Sequence, residues 1–397
     1  MSIELIKQHL IDPEICIRCY TCEETCQLNA ISHDDNNVVV DASICNFCMD
    51  CISPCPTGSI DNWRFVQPDQ AFSVEEQLQW EELPEEDEPN TAQAAADNEA
   101  LDAEIQELIQ TAHAGAKGVS HAPESAEQPT INLYNRRKPA IAEVQGNIRI
   151  TSESSDYDVR QIILSLGDQH FPILEGQSVG IVPPSNTDKP ETLRLYSVSS
   201  PRDGEKRNAN NFSLTVKRAP MGKCSNYLCD LKKGDKVEIS GPYGSTFLMP
   251  NDPSAHILMI CTGTGSAPFR AFTERRRRAA PGASGSLMLF FGARSPDELP
   301  YFGPLQKVPD WLLKQHLVYS RVPDRPKEYV QDRVRLMSDE LGQLLKSPKL
   351  HIYVCGLKGM ESGVEEALQE VAENHQLDWD DVRKTMQTEG RFHVETY

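Results

Sequence analysis

Between residues 139 and 250, short apolar stretches alternate with turns rich in Gly, Pro and Asp. Apolar stretches of about four to eight residues that are bounded by such turns are typical of β-strands. Several of them in succession predict a closed antiparallel barrel. The predicted strands are Val159–Leu166, Val179–Val182, Leu193–Ser199, Phe212–Lys217 and Lys236–Ser240.

After Pro250 the pattern changes, because apolar strand-like stretches now alternate with segments of helical period. This alternation predicts a parallel sheet of the doubly wound α/β type over residues 251–397. The predicted strands are His256–Cys261, Leu287–Phe291, Leu317–Ser320 and Leu350–Cys355. The predicted helices are Ala267–Arg278, Tyr329–Leu345 and Ser362–Asn374.

Residues 65–138 are expected to form a linker between residues 1–64 and the barrel. Its stretch Glu81–Asn90 is too acidic and too rich in Pro to pack into a core. One amphipathic helix is predicted within it, with apolar residues at helical spacing. These are Leu101, Ile105, Leu108, Ile109 and Ala112. The helix is expected to lie against a domain of this chain, and docking to a partner is the alternative.

The acidity of the chain is concentrated at its amino-terminal end. The net charge is −7 over residues 1–64, −14 over residues 65–116 and +1 over the remainder, which together give −20. Since no basic stripe is available to pair with phosphates, we expect no nucleic-acid partner. An acidic surface on residues 1–64 favours a partner with a basic patch.

Eight cysteines form two matching C-x2-C-x2-C-x3-C ladders, 29 positions apart, which resemble the bacterial two-cluster ferredoxins. In that pattern the fourth cysteine of each ladder ligates the other cluster. The first [4Fe-4S] cluster is therefore predicted on Cys16, Cys19, Cys22 and Cys55, and the second on Cys45, Cys48, Cys51 and Cys26. An α+β ferredoxin module is expected over residues 1–64. The alternative is two structural zinc sites. One departure from the pattern is Gln27, which follows the first ladder where the second has Pro56.

A glycine-rich loop follows the predicted strand His256–Cys261 and precedes a predicted helix. Glycines at this point let the backbone approach a pyrophosphate, and the helix N-terminus supplies positive potential. Pro268 stands where the G-x-G-x-x-G fingerprint has its last glycine. The candidate dinucleotide-binding residues here are Gly263, Thr264, Gly265, Ala267 and Pro268.

Motifs spread over residues 139–397 resemble the plant-type ferredoxin–NADP reductases. They are Arg194-Leu195-Tyr196-Ser197, Gly222-Lys223-Cys224-Ser225, Gly241-Pro242-Tyr243-Gly244, Thr262 to Arg270, Cys355 to Met360 and Glu395-Thr396-Tyr397. The resemblance implies an FAD-binding barrel domain over residues 139–250 and an NADP-binding domain over residues 251–397.

The resemblance also implies roles for individual residues. Arg194 is expected to pair with the FAD pyrophosphate, Tyr196 to stack on the isoalloxazine, and Ser197 to approach flavin N5. Phosphate binding is expected at Gly222, Cys224 and Ser225, and Lys217 is counted among the cofactor-binding residues. The residues expected at the reacting centre are Ser197, Cys355, Gly356, Glu395 and Tyr397.

Cys355 and Gly356 are expected to lie against the nicotinamide, and Tyr397 to cover the flavin and swing away before the nicotinamide stacks. Ser197 and Glu395 are expected to carry the proton. Recognition of the NADPH 2′-phosphate needs a cation and hydrogen-bond donors. The segment after Leu317 resembles the family's phosphate site, with Ser320, Arg321, Lys327, Tyr329 and Gln331 as its candidates.

The fusion of a ferredoxin to its own reductase predicts an enzyme that passes electrons from NADPH through FAD to the clusters. The order of the domains along the chain resembles that of the reductase components of multicomponent oxygenases of the benzoyl-CoA 2,3-epoxidase type. Such reductases pass electrons to a separate oxygenase component. The alternatives are a reductase that works toward NADPH formation, a donor to a different reductase or oxygenase, and a non-catalytic interaction module.

No export signal precedes the first ladder, and no apolar run approaches the roughly 20 residues of a membrane span. Together with cysteines reserved for clusters, this predicts a cytoplasmic protein without a membrane partner. The sequence leaves the oligomeric state open, a homodimer included.

Overall fold

The computed structural model describes residues 6–14, 16–52, 54–57, 59–60, 62–66, 71–84, 105–116, 121–184, 192–300 and 308–397. The chain divides into two compact units, Met1–Asp97 and Asn98–Tyr397.

The first unit holds two small antiparallel sheets and a short helix. Its strands are β1 (Ile6–Leu10), β2 (Ile31–His33), β3 (Val38–Val40) and β4 (Asn62–Val66), and its first helix is α1 (Thr21–Thr25). Strand β1 pairs with β4, and β2 pairs with β3. The core between them is small and contains cysteines as well as aliphatic side chains, among them Ile11, Ile31, Val40, Cys22 and Cys51.

Part of the predicted linker folds onto this first unit. The short helix α2 (Val74–Gln77) begins with a capping box in which Ser73 and Glu76 satisfy each other's backbone amides. The Gln77 side chain donates to the carbonyl oxygen of Val40 at 3.0 Å and accepts from its amide at 3.2 Å. The stretch around α2 is therefore anchored by buried hydrogen bonds, although its sequence is polar.

The second unit begins with the helix α3, residues 105–113, and a 3-10 turn at Ala114–Ala116. Ile105 is buried, and Leu108 and Ile109 are half-buried beside Leu193 and Tyr243. This part of the predicted amphipathic helix therefore lies against the chain's own second unit. Leu101, its predicted first apolar position, lies outside the described residues.

Six antiparallel strands build the predicted barrel in the spatial order β8-β7-β10-β5-β6-β9. A bridge between Val198 and Leu214 joins the two ends of this order, which closes the barrel. A short helix, α4 (Lys223–Asp230), follows the strand β9. The strands are β5 (Ala140–Arg149), β6 (Val159–Ser165), β7 (Ser178–Ile181), β8 (Arg194–Ser197), β9 (Asn211–Lys217) and β10 (Lys236–Tyr243).

Five parallel strands form the predicted α/β domain in the order β13-β12-β11-β14-β15, which is the doubly wound arrangement. The predicted fold class is thus confirmed. The strands are β11 (His256–Thr262), β12 (Leu287–Ala293), β13 (Leu313–Tyr319), β14 (Leu350–Gly356) and β15 (Phe392–Thr396). The helices are α5 (Ala267–Ala279), α6 (Val330–Leu336), α7 (Ser338–Leu345), α8 (Met360–Asn374) and α9 (Trp379–Thr388).

Two predicted elements of this domain have different bounds. The predicted strand Leu317–Ser320 is the end of β13, which begins at Leu313, because Lys314, Gln315 and His316 also pair with β12. The predicted helix Tyr329–Leu345 is interrupted at Met337, which separates α6 from α7.

The barrel and the parallel sheet are joined by a buried ion pair. The Arg270 guanidinium on α5 donates to the carbonyl oxygen of Ser199 and to both carboxylate oxygens of Glu205, at 2.6–2.9 Å. Because both charged side chains are mostly buried, these hydrogen bonds fix the two domains of the second unit around the cleft between them.

Candidate active site

A cleft of about 490 Å³ lies where the barrel meets the parallel sheet. Its walls come from the strand β8, the loop after β11, the ends of β14 and β15, and one face of α3. The cleft brings together most of the residues predicted for flavin binding and catalysis. They are Arg194, Tyr196, Ser197, Lys217, Ser225, Cys355, Glu395 and Tyr397.

Tyr196 forms the barrel side of the cleft and packs partly on the barrel core. Burial raises the pKa of its phenol, and the neighbouring Cys224 thiol, with which it shares a hydrogen bond, raises it further. Burial likewise raises the pKa of the Cys224 thiol. Both groups therefore stay neutral and offer a planar, uncharged surface on which an isoalloxazine can stack.

Ser197 is the last residue of β8, and its hydroxyl accepts a hydrogen bond from the Ser178 hydroxyl at 3.4 Å. Cys355 and Glu395 lie side by side on β14 and β15, where they are register partners. Burial raises the pKa of the Cys355 thiol well above its usual value, and the Glu395 and Cys261 side chains add to the rise. Cys355 is thus a neutral thiol, and Glu395 supplies the carboxylate.

The chain's last residue is held in place by its backbone. The Tyr397 amide donates to the carbonyl oxygen of Gly356 at 3.0 Å, and the Lys358 amide donates to the carbonyl oxygen of Tyr397 at 3.1 Å. The Tyr397 hydroxyl shares a hydrogen bond of 2.6 Å with the Thr264 hydroxyl, while about half of the side chain is exposed. Its ring is therefore held over the cleft by a single side-chain hydrogen bond.

A second cavity continues from the barrel side of this cleft, and its lining includes the amino-terminal end of α4. It shares Arg194, Tyr196 and Ser225 with the first cleft. A β-carbon at Gly222 would lie 2.4 Å from the Ser225 hydroxyl, so this tight turn requires glycine. An exposed guanidinium beside the amino-terminal end of a helix matches the needs of a pyrophosphate.

The loop Gly263–Ser266 approaches strand β14 closely. A β-carbon at Gly265 would lie 2.2 Å from the Cys355 carbonyl oxygen, and Gly263 has a positive φ of 56°. Pro268 then occupies the first turn of α5, where its missing amide costs nothing. This loop is shared by the flavin cleft and by the adjoining nucleotide cavity, because Gly263 and Thr264 line both.

The nucleotide cavity has a volume of about 410 Å³. It is lined by most of the predicted 2′-phosphate residues, namely Ser320, Arg321, Tyr329 and Gln331, and also by Lys217. Lys327 does not line it, and neither do Ala267 and Pro268. The carboxyl ends of β11, β12 and β13 meet at this cavity, which is where doubly wound sheets bind their ligands.

The sequence reasoning did not single out Tyr157, Arg294 and Glu298, which also line this cavity. The Tyr157 ring lies between two cations, with the Lys217 ammonium 3.6 Å and the Arg294 guanidinium 4.6 Å from its centroid. Burial raises the pKa of Glu298, and the charges of Arg294, Lys217 and Arg321 oppose this rise. Arg294 directly follows the parallel strand β12, and this position at the carboxyl end of the sheet could have marked it.

His113, on α3, is a fourth residue that the sequence did not single out. Its Nε2 donates to a Glu395 carboxylate oxygen at 3.3 Å, and both side chains are mostly buried. No local motif marks this histidine, since its partner lies 282 positions further along the chain.

In the first unit, the predicted ligands of each cluster lie close to one another. A small cavity is lined by Cys26, Cys45, Cys48 and Cys51, the predicted second set, and by none of the first set. Within the first set, burial raises the pKa of Cys22, and the nearby charges of Cys16 and Cys55 add to this rise. Hydrogen bonds with Thr21 lower the pKa of Cys19, and the nearby charge of Cys55 opposes this lowering. These neighbours are compatible with the crossing of Cys26 and Cys55 between the ladders, which stays a prediction.

The environment of the cysteine thiols differs within each set. Burial raises the pKa of Cys22 to about 11 and that of Cys51 to about 12. Cys55 is also affected by burial, but hydrogen bonds from Ser59, Ile60 and Thr57 outweigh it and lower its pKa to about 7. Among the described residues, no three His, Cys, Asp or Glu side chains are grouped for a single metal ion.

Three family models match the chain. The 4Fe-4S binding domain matches residues 9–32, the oxidoreductase FAD-binding domain residues 148–247, and the oxidoreductase NAD-binding domain residues 259–366. Among the described helices, none combines the length and the apolar character needed to cross a membrane.

Curated relatives carry the name ferredoxin–NADP reductase. The chain is 38% identical to the cyanelle protein of Cyanophora paradoxa, over 67% of this chain and 79% of that protein. It is 36% identical to the Spirulina protein, over 67% of this chain and 98% of that one. The solved ferredoxin–NADP+ reductase of Plasmodium falciparum is 26% identical, with a TM-score of 0.55 over 68% of this chain and all of that chain.

The two reductase family models cover most of the residues that line the cleft and the nucleotide cavity. The chain belongs to the ferredoxin–NADP reductase family, as an NAD(P)-dependent flavoprotein oxidoreductase with FAD- and NADP-binding domains, and it carries a 4Fe-4S ferredoxin motif in its first unit.

Proposed function

We propose that this chain draws electrons from NADPH and delivers them singly, through two [4Fe-4S] clusters, to a separate oxygenase component. The observation that carries the proposal is the presence of both cysteine sets and a complete reductase cleft in one chain. When bound, FAD supplies the conversion between two-electron hydride transfer and single-electron transfer, and each cluster supplies one-electron exchange.

The chain's own residues bind and orient the reactants. Arg194 and the start of α4 would hold the FAD phosphates, and Tyr196 and Tyr397 would cover the two faces of its ring. Arg321 and Arg294 would hold the nucleotide phosphates in the adjoining cavity. This division would put the nicotinamide beside Cys355, whose neutral thiol would add no charge that opposes hydride transfer.

Two groups in the cleft are able to hold or move a proton. The Ser197 hydroxyl and the Glu395 carboxylate both line it, and Ser197 already takes part in a hydroxyl–hydroxyl hydrogen bond with Ser178. The Tyr397 ring must move before a nicotinamide takes its place. The single hydrogen bond from its hydroxyl to Thr264 makes that movement inexpensive.

The oxygenase is proposed to be a diiron enzyme of the benzoyl-CoA 2,3-epoxidase type. Support comes from the fusion itself, because a reductase that carries its own ferredoxin has no need of a separate one. The net charge of −7 on residues 1–64 suits a partner with a basic docking patch. The names of the relatives favour a second candidate, a reductase that works toward NADPH formation with ferredoxin as donor.

The first test is the cofactor content of anaerobically purified protein. We expect eight irons, eight acid-labile sulfides and one FAD per chain, from two cysteine sets of four and one flavin cleft. Cys16→Ser should lose the first cluster while FAD stays bound, because Cys16 lies in a different unit from the cleft. Two zinc ions without sulfide would overturn the cluster assignment.

The second test separates the two electron directions. The protein is mixed with NADPH, benzoyl-CoA, oxygen and a diiron oxygenase, and oxygenated product is measured against NADPH consumed. Product formation that requires all components supports the proposal. Efficient NADPH formation from reduced ferredoxin, with no product in the first mixture, would favour the second candidate.

A further inference from the structure

We propose that residues 105–116 are a fixed wall of the flavin cleft and that His113 is a positioning residue for the Glu395 carboxylate. This inference rests on the proposed function only in the proton-handling role given to Glu395. The segment lies outside all three matched family models, which cover residues 9–32, 148–247 and 259–366.

The described apolar side chains of α3 pack against the barrel or line the cleft. Ile105 is 6% exposed and packs with Leu193 and Tyr243 of the barrel. Leu108 and Ile109, one turn further, line the cleft itself. Short helices are only marginally stable alone in water, so this packing is what holds the described part of α3 in place.

The turn after α3 fits closely against the strand that carries Glu395. A β-carbon at Gly115 would lie 3.0 Å from Val394 Cγ1 and 3.1 Å from Glu361 Cγ. The neighbours leave no room there for a larger side chain without displacing the turn. Val394 directly precedes Glu395, so the turn and the carboxylate share one stretch of β15.

His113 connects this wall to the reacting centre. Its Nε2 donates to Glu395 at 3.3 Å, with 19% of the histidine side chain and 17% of the glutamate side chain exposed. Among the residues that the structure describes, His113 is the one whose side chain shares a hydrogen bond with the Glu395 carboxylate. A glutamate has several rotatable bonds, and a hydrogen bond from a packed helix restricts them to one orientation.

The test compares His113→Phe, which removes the donor, with His113→Gln, which keeps an N–H donor. Gln110→Ala, at an exposed position on the same helix, is the matched control. We expect His113→Phe to slow flavin reduction by NADPH about 10-fold, since a hydrogen bond to a charged group is worth about that factor or more. FAD content and the KM for NADPH should stay as in the wild type, and His113→Gln should recover most of the rate.

A second measurement, amide hydrogen–deuterium exchange over residues 105–116, does not depend on activity. We expect protection in the wild type, and exchange about 10-fold faster in Gly115→Leu, whose side chain would push the turn off β15. Gly115→Leu should also slow flavin reduction as His113→Phe does, although it keeps the histidine.

Wild-type reduction rates in His113→Phe would overturn the positioning role, and unprotected amides in the wild type would overturn the wall. A wild-type protein that NADPH fails to reduce would overturn the proposed function instead, and the exchange measurement would still decide whether the wall exists.

Discussion

Discrimination between NADPH and NADH depends on a few side chains around the nucleotide cavity. Arg321 lines it together with Ser320 and Tyr329, whereas Lys327 lies outside it. Charge-assisted bonds from a guanidinium to the 2′-phosphate are worth about 1.5–3 kcal/mol, or roughly 10- to 150-fold in affinity. Arg321→Ala should therefore raise the KM for NADPH by such a factor and leave the KM for NADH unchanged. Steady-state kinetics with both nucleotides measures this, with Lys327→Ala as control; equal loss for both nucleotides would contradict it.

His351, which is buried in the second unit, makes the stability of the folded chain depend on pH. Burial, together with the charge of its neighbour Arg391, lowers its pKa to about 4. In the unfolded chain the imidazole titrates near 6.5, so below that pH the unfolded state binds a proton that the folded state does not. Stability must then fall as the pH falls from about 6.5 to about 4. His393, also buried, acts in the same direction, with a pKa of about 3.

His351→Leu should reduce this acid sensitivity. Each pKa unit corresponds to about 1.4 kcal/mol, so the loss of stability between pH 6.5 and pH 5 should be smaller than in the wild type by about 2 kcal/mol. Urea unfolding of both proteins at the two pH values measures the difference. Equal losses of stability in the two proteins would show that the pKa of His351 is the same in the folded and the unfolded chain.

Residues inside short motifs were predictable from the sequence, and residues brought in by the fold were not. Tyr196, Ser197, Cys355 and Tyr397 were found through local patterns, and they line one cleft. His113 reaches the same cleft through a partner 282 positions away, so no local pattern marks it.

At the level of elements, the loop between β11 and α5 combines two requirements in a few residues. The loop begins directly after the last residue of β11, and its backbone passes close to the backbone of β14. Gly265→Ala should be harmful, because its β-carbon would lie 2.2 Å from one backbone atom and 2.5 Å from another. Overpacking of this kind costs about 1–3 kcal/mol. We expect a lower melting temperature and weaker NADPH binding. Gly282→Ala, whose β-carbon meets nothing within 4 Å, should leave both unchanged.

Strands with bulky apolar residues were predictable, and elements with few apolar residues were not. The predictions for β6, β9 and β11 were confirmed to within about one residue at each end. Strand β5 was missed, because its buried positions are partly alanines and its register shifts near Gly146. Helix α9 was missed as well, since Trp379 and Met386 are its only buried residues.

For the whole molecule, we propose a tethered shuttle, in which the first unit would exchange between the reductase cleft and an outside acceptor. The predicted linker of residues 65–138 contributes α2 to the first unit and α3 to the second. Residues 85–104, between these two anchored stretches, carry eight acidic and no basic side chains. A chain of 20 residues spans at most about 70 Å. Such a tether would keep the first unit at millimolar local concentration near the cleft and still let it meet an outside acceptor.

Deletion of residues 87–96 tests this tethered shuttle. The deletion halves the span to about 35 Å and leaves α2 and α3 intact. Delivery of electrons to the outside acceptor should slow, because the cluster unit would have less room to leave the cleft. Flavin reduction by NADPH should not change, since the cleft lies wholly within the second unit. Replacement of the same ten residues by Gly and Ser keeps the length and removes two of the eight acidic side chains of residues 85–104, so it should preserve both rates. Stopped-flow measurement of flavin reduction and of acceptor reduction separates the two steps. If both rates survive the deletion, a rigid relay, with one cluster as entry and the other as exit, replaces the shuttle.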